Sequence, residues 1–303
     1  MSEKTVVVGI DGSDGAVNAA LWAGAVALKF ESSLHIVHAM PIIGHNLTDA
    51  AAAIRAAAMS YQRDCALIFL REAADAVRSH YPNLVVTTES TDMQADEALI
   101  GLAGGSRMIV LGNSEVSPAG ALLLGSTTLA VAAHADCPVV AWRGTHTAPT
   151  DQPVIVGVDR TQRAAVALNA AFEFADRFKA KLAAVRSWSI PGPVAAVSNP
   201  LMVDWDARQA AEWTQLTDIV DRCNQNHPDV DATCFVEPAK PTAALLHQID
   251  VAGAQLVVVC SRGRNALASA VLGSTALGLL HHSTVPVMVC SEAGGAHPPT
   301  AAV

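Results

Sequence analysis

The strongest constraint on this chain is that it is written twice. Asp11 and Asp159 lie 148 residues apart, and the same interval separates Leu34 from Leu182, Gly125 from Gly273, and Pro138 from Pro286. One interval shared by landmarks along the whole chain means a repeated folding unit, with no net insertion between those landmarks. The 303 residues then divide into two units of about 150, each large enough for its own core. We place the first domain at residues 1–145 and the second at 151–292. Arg143 to Pro153, bearing Gly, Thr, Pro and Asp, reads as the linker, and 293–303 as a disordered tail.

Within each unit, short apolar runs alternate with helical stretches. The first copy reads as strands over Thr5–Asp11, Leu34–Ala39, Leu84–Glu89, Met108–Gly112 and Pro138–Trp142. Between them come a helix to about Phe30, with Val17, Leu21 and Leu28 on its apolar face, a long one over 48–80, and shorter ones over Ala95–Ala103 and Ser126–Ala135. The second copy repeats this with strands at Val154–Asp159, Lys181–Trp188, Asp231–Val236, Leu256–Cys260 and Pro286–Cys290. Its helices reach about Phe178 and run over Asp204–Asn226, Thr242–Ala254 and Ser274–His282. Continuous apolar strands joined by helices predict an α/β fold: two tandem five-stranded parallel sheets, doubly wound in Rossmann fashion. Ligands of such sheets sit beyond the carboxyl ends of the strands, where strand order reverses.

Composition narrows the function. Net charge is −9 without a Lys/Arg block, so a nucleic-acid partner is not expected. Charged residues are only 16% and mean hydropathy is +0.32. Yet the uncharged stretches 116–135 and 265–291 are broken by Gly, Ser, Thr and Pro, so no membrane span is expected. The start, Met1-Ser2-Glu3-Lys4 before a strand, carries no apolar signal region, which points to the cytoplasm. The six cysteines form no CxxC pair and read as buried, reduced thiols. No catalytic constellation, zinc spacing or Gly-x-Ser-x-Gly elbow is present. Gly120 to Thr127 has the spacing of a Walker A loop, but Ser126 stands where its lysine is needed.

Two loops carry the chemistry. Met108–Gly112 runs into a small-residue loop that ends at Gly125-Ser126-Thr127, and Leu256–Cys260 runs into one that ends at Gly273-Ser274-Thr275. Such a loop before a helix offers backbone N–H groups to a phosphate. The opening Val8-Gly9-Ile10-Asp11-Gly12-Ser13, and the pattern Gly-x-x-Gly-x9-Gly-Ser/Thr after the fourth strand, resemble the universal stress protein family. Cys260-Ser261-Arg262-Gly263 followed by Gly273-Ser274 is similar to that family's phosphate loop, and both His134–Pro138 and His281–Pro286 to its closing helix and strand. The resemblance spans nearly the whole chain twice and looks like the tandem form found in mycobacteria and relatives. It implies an adenine-nucleotide-binding fold and ATP as the ligand, with or without Mg2+.

The resemblance and the residue chemistry together give roles. Asp11 and Asp159 would accept hydrogen bonds from the adenine or ribose end, with main chain of Gly9, Gly157, Val37 and Val185 edging the base. N–H groups of Asn113 and Ser114, or Ser261 and Arg262, would face ribose and phosphate. Ser126 and Thr127, or Ser274 and Thr275, would cap their helices and hold terminal phosphate oxygens; simple capping is the plainer alternative. Each copy departs from the pattern. Gly112 is kept in the first, but Glu115 takes the second glycine's place. Gly263 is kept in the second, but Cys260 takes the first glycine's place, and Arg160-Thr161 replace the Gly-Ser after the aspartate. With Arg262 and Arg264 flanking it, the second loop is the better anion site. A unit charge about 4 Å away at an effective dielectric of about 20 contributes about 4 kcal/mol before screening.

The expectation is a nucleotide-responsive stress regulator that binds ATP without turning it over, read by a protein partner. The apolar final strands, Pro138–Trp142 and Pro286–Cys290, suit edge-to-edge pairing, either between the two copies or between chains as a homodimer. Binding of AMP or cyclic AMP, slow ATP hydrolysis, and a scaffold without a ligand stay open as alternatives.

Overall fold

The computed structural model describes residues 4–40, 49–112, 125–161, 163–188, 205–261 and 272–291, with side chains omitted at 49–55 and 205. The described chain separates into two compact units between Pro149 and Thr150. In the first, β1 (Thr5–Gly9), α1 (Asp14–Lys29), β2 (Leu34–Ala39), α2 (Asp49–His80) and β3 (Val86–Thr91) come before the switch of direction. Then follow α3 (Ala95–Ala103), β4 (Ser106–Gly112), α4 (Ser126–His134) and β5 (Val139–Trp142). The second unit is β6 (Val154–Gly157), α5 (Ala164–Phe178), β7 (Leu182–Ser187), α6 (Trp205–Asn224), β8 (Ala232–Glu237), α7 (Pro241–Ala252), β9 (Leu256–Cys260), α8 (Ser274–His282) and β10 (Val287–Cys290).

Strand order is β3-β2-β1-β4-β5 in the first unit and, read from the matching edge, β8-β7-β6-β9-β10 in the second. Every pairing within a unit is parallel. The central strands are apolar because helices cover both of their faces: Val6, Val8, Ile109 and Val110, like Ile155, Val156, Val257 and Val258, are 0% exposed. Register shows how closely the copies match. Val6 pairs with Leu34 and Met108, and Val154 with Leu182 and Leu256, all offset by 148. Leu34 pairs with Val86 but Leu182 with Ala232, so the third strand is offset by 146. The copies therefore differ by two residues at the sheet edge, and the difference is recovered before β4 and β9.

Several expectations are corrected. The third strand starts at Val86, not Leu84. Leu84 N–H closes a turn onto the Tyr81 carbonyl at 3.0 Å, and Val85 is 65% exposed. β3 is an edge strand whose Thr87, Thr88, Glu89 and Ser90 are exposed, so its apolar flank misled the reading. Leu28 does not face the core but is 46% exposed, because α1 is buried almost all round from Gly15 to Ala27. Its small residues admit α2: a Cβ on Gly24 would come within 3.0 Å of the Tyr81 ring. Arg143 is not a solvated linker residue; it is buried, and burial lowers its pKa to about 10. Cys137, Cys223, Cys234 and Cys290 are buried thiols as expected, whereas Cys65 and Cys260 are half-buried. The proposed tail lies outside the described residues. Among them, no helix is long and apolar enough to cross a membrane.

Gly112 ends β4 where α1 passes. A Cβ there would lie 2.8 Å from the Gly15 carbonyl oxygen and 3.1 Å from the Ala16 Cα, both backbone atoms that cannot rotate away. Gly112→Ala should therefore destabilise the first unit by about 1–3 kcal/mol. Faster amide exchange in peptides of β1, α1 and β4, with the second unit unchanged, is the expected readout.

Candidate functional site

Each sheet carries a cavity at the carboxyl end of its first and fourth strands. The first, about 180 Å³, is lined by Gly9, Ile10 and Asp11 from the end of β1, Val37 and Ala39 from β2, and Leu111 and Gly112 from β4. Ala16, Ala95 and Leu99, then Gly125, Thr127 and Thr128, complete it. The second, about 210 Å³, uses Gly157, Val158, Asp159, Val185, Ser187, Val259 and Cys260 in the same places. Ala164, Pro241, Leu245, Gly273, Ser274, Thr275 and Ala276 close it. The apolar floor has a steric cause. A Cβ on Gly9 would meet Leu111 at 2.7 Å and Leu99 at 3.2 Å, and one on Gly157 would meet Leu245 and Val259 at 3.1 Å. Glycine at both positions lets a leucine from α3 or α7 reach the strand.

The two aspartates make the same turn. Asp11 Oδ1 accepts from the Ser13 N–H at 3.0 Å and the Ser13 hydroxyl at 2.6 Å. Asp159 Oδ1 accepts from Thr161 N–H at 2.9 Å and its hydroxyl at 2.7 Å. Thr161 thus keeps the hydroxyl that the change from Gly-Ser to Arg-Thr seemed to disturb. Both aspartates remain exposed at the cavity rim. Ser13 also caps α1 through a 3.2 Å bond from Ala16 N–H, whereas α5 begins at Ala164, two residues later than its counterpart, with no side-chain cap. Cys260, which carries a Cβ where Gly112 has none, lines the same cavity as Ala164 at this helix start.

Opposite the aspartates stand the N-termini of α4 and α8. Their N-cap residues are Gly125 and Gly273, with no side-chain cap bond. This corrects the capping role expected of Ser126 and Ser274, which are the first helical residues and are exposed. The first N–H groups of a helix have no intrahelical acceptor and carry its positive dipole end, so each cavity has an electropositive wall facing its acid. Ser126 and Ser261 are not among the residues lining the cavities.

Behind the aspartate turn the copies use different chemistry. In the first, His38 Nδ1 donates to the Ile10 carbonyl at 2.8 Å, and the Phe69 ring packs edge-on against His38 at 5.5 Å. Phe69 also lies 2.7 Å from where a Cβ on Gly12 would be, and Gly12 has a φ of +85°. In the second, Arg186 holds the same backbone, donating from Nε to the Val158 carbonyl at 3.4 Å and from Nη2 to the Asp159 carbonyl at 3.0 Å. Glu212 of α6, 3% exposed, pairs with Arg160 and lies 3.8 Å from Arg186 Nη1. Burial, and then the Arg160 charge, lower the pKa of Arg186 below its ordinary value.

A model described as "Universal stress protein family" matches residues 3–143 and again 152–291. The chain belongs to the universal stress protein family. A universal stress protein of Mycolicibacterium smegmatis is 28% identical over 294 residues, covering 95% of this chain and 97% of that one. One from Mycobacterium tuberculosis is 29% identical over 303 residues with the same coverage. The crystal structure of a universal stress protein from Archaeoglobus fulgidus shares the fold at 17% identity, with a TM-score of 0.69 over 96% of this chain and 99% of that chain.

In this universal stress protein, Gly9, Asp11, Val37, Gly112, Gly125 and Thr127 come together around one cavity. Gly157, Asp159, Val185, Cys260, Gly273, Ser274 and Thr275 come together around the other. Asn113, Ser114 and Glu115, like Arg262, Gly263 and Arg264, lie outside the described residues. Sequence reasoning missed the floor leucines 99 and 245, and the Arg186–Glu212 pair. The signal for the pair was present: an arginine inside the apolar run Leu182–Ser187 demands a buried acceptor. Glu212→Gln should cost about 3 kcal/mol by leaving a buried guanidinium without its carboxylate, read as faster amide exchange in β6, β7 and α6.

Proposed function

We propose that this universal stress protein binds an adenine nucleotide, ATP in the first instance, at the carboxyl edge of each sheet, and acts by binding rather than turnover. The observation that carries the reading is the repeated cavity. A carboxylate on a fixed turn, apolar walls for a planar base, and a helix N-terminus without a side-chain cap recur at matching positions in both units. A carboxylate accepts from base or ribose donors, and backbone N–H groups accept phosphate without a lysine. Among the described residues no group of three or more His, Cys, Asp or Glu could hold a metal ion. Mg2+, where it accompanies the nucleotide, would be carried on its phosphate oxygens. Regulation follows from population shift: nucleotide at these sites favours one state of the protein, and a protein partner reads it.

AMP or cyclic AMP is the second reading, favoured in the first unit by Glu115, which sets a negative charge in the loop that a triphosphate must approach. The test is to purify the chain without added nucleotide, denature it, and identify and count what is released. About one ATP per chain is expected, held by the second site. Glu115→Gly should raise this toward two by filling the first site; occupancy unchanged by that substitution would sink the charge argument. AMP or cyclic AMP in the supernatant would promote the second reading. Calorimetric titration with ATP should show binding lost at one site in Asp159→Ala and at the other in Asp11→Ala.

A further inference from the structure

The cysteine that replaces a glycine in the second unit does not stand alone. Cys260 and Cys290 are far apart in the chain, but β9 and β10 run parallel and pair them directly. Register partners on neighbouring strands present their side chains on the same face. Such strands run about 4.8 Å apart, inside the Cα window of about 4.4–6.8 Å in which a disulfide closes. Ser261 N–H donates to the Cys290 carbonyl at 2.8 Å, holding the two strand ends together up to the loop. Neither is in a disulfide. The first unit has Gly112 opposite Trp142 at these positions, so the thiol pair is particular to the second.

Access is unequal in a useful way. Cys260 is half-buried and lines the second cavity, whereas Cys290 is 0% exposed. A sensing thiol has to be reachable and a resolving thiol has only to be adjacent. The other cysteines lack one property or both. Cys137, Cys223 and Cys234 are buried, and burial pushes their thiols up, Cys137 to about 12. Cys65 is half-buried on α2, with no cysteine one helical turn away on either side.

We propose that Cys260 and Cys290 form an oxidisable thiol pair at the second cavity, with a peroxide as the oxidant. The Cys260 sulfur attacks the peroxide O–O bond and becomes a sulfenic acid, releasing one water. The Cys290 sulfur then attacks the Cys260 sulfur, the S–O bond breaks, and the oxygen leaves as a second water. Two thiols and one hydrogen peroxide give one disulfide and two waters, the sulfurs losing the two electrons that the peroxide gains. A ligand filling the cavity covers Cys260 and slows the first step; this consequence rests on the nucleotide reading above.

The test uses the full chain treated with hydrogen peroxide. Intact mass should fall by about 2 Da, as expected for one disulfide, and non-reducing peptide mapping should join the peptides bearing Cys260 and Cys290. In Cys290→Ala, Cys260 should stop at a sulfenic acid trapped by dimedone, and Cys260→Ala should abolish the internal disulfide. No mass loss, a bridge between chains, or oxidation led by Cys65 overturns the proposal. Saturating ATP should slow disulfide formation about tenfold. An unchanged rate with titration showing the second site filled overturns the shielding step. Titration showing no ATP bound removes the nucleotide reading instead, and the mass measurement still decides the thiol pair.

Discussion

Parallel pairing of β1 with β4, repeated between β6 and β9, places every other feature of the two sites. These neighbours are not consecutive in the chain, so the connections after them leave in opposite directions, and among the described residues no helix fills the gap between their carboxyl ends. The gap is the cavity. Strand register then decides what lines it. Gly9 lies beside Val37 on one side and Leu111 on the other, and Asp11 follows where the backbone leaves the sheet. The acid stands at the rim because strand pairing ends there, and the helix N-termini face it because the chain must return to begin β5 or β10.

Around that shared frame the copies differ by groups of residues, not by single ones. Gly12, His38 and Phe69 back one turn; Arg160, Arg186 and Glu212 back the other. Exchanging one member alone would be costly. A side chain on Gly12 collides with Phe69 in a left-handed conformation, and Arg186 without Glu212 is a buried charge without its carboxylate. On the other side of the cavity, Gly112 beside Trp142 corresponds to Cys260 beside Cys290. What looked in the sequence like isolated damage to a motif is, in space, coordinated replacement.

The sequence made the repeat, the class of fold and most central strands legible, because buried parallel strands are continuous apolar runs with little else to read. It failed where neighbours in space decide. β3 was misplaced because an edge strand need not be apolar on either face, and its flanking Leu84 and Val85 mimicked one. The two-residue change of offset was invisible because it cancels before β4. Asp11 and Asp159 could be singled out by position, but their shared turn with a hydroxyl two residues on required coordinates. The floor leucines could not be found from α3 and α7 alone, whose apolar residues do not say which of them meets a glycine. Nor could Cys260 and Cys290 be paired without the register of the final two strands.

The charges behind the two aspartate turns differ. In the second unit, Arg160 and Arg186 balance Glu212 and Asp159. In the first, Asp11 has no arginine or lysine at the corresponding positions, which are Gly12 and His38. At these positions the second unit carries two arginines that pair with Glu212, and the first carries none. Buried ionic clusters contribute little net stability over apolar packing, but Arg186 also fixes the Val158 and Asp159 carbonyls, so the Arg160–Glu212–Arg186 group holds the turn that presents Asp159.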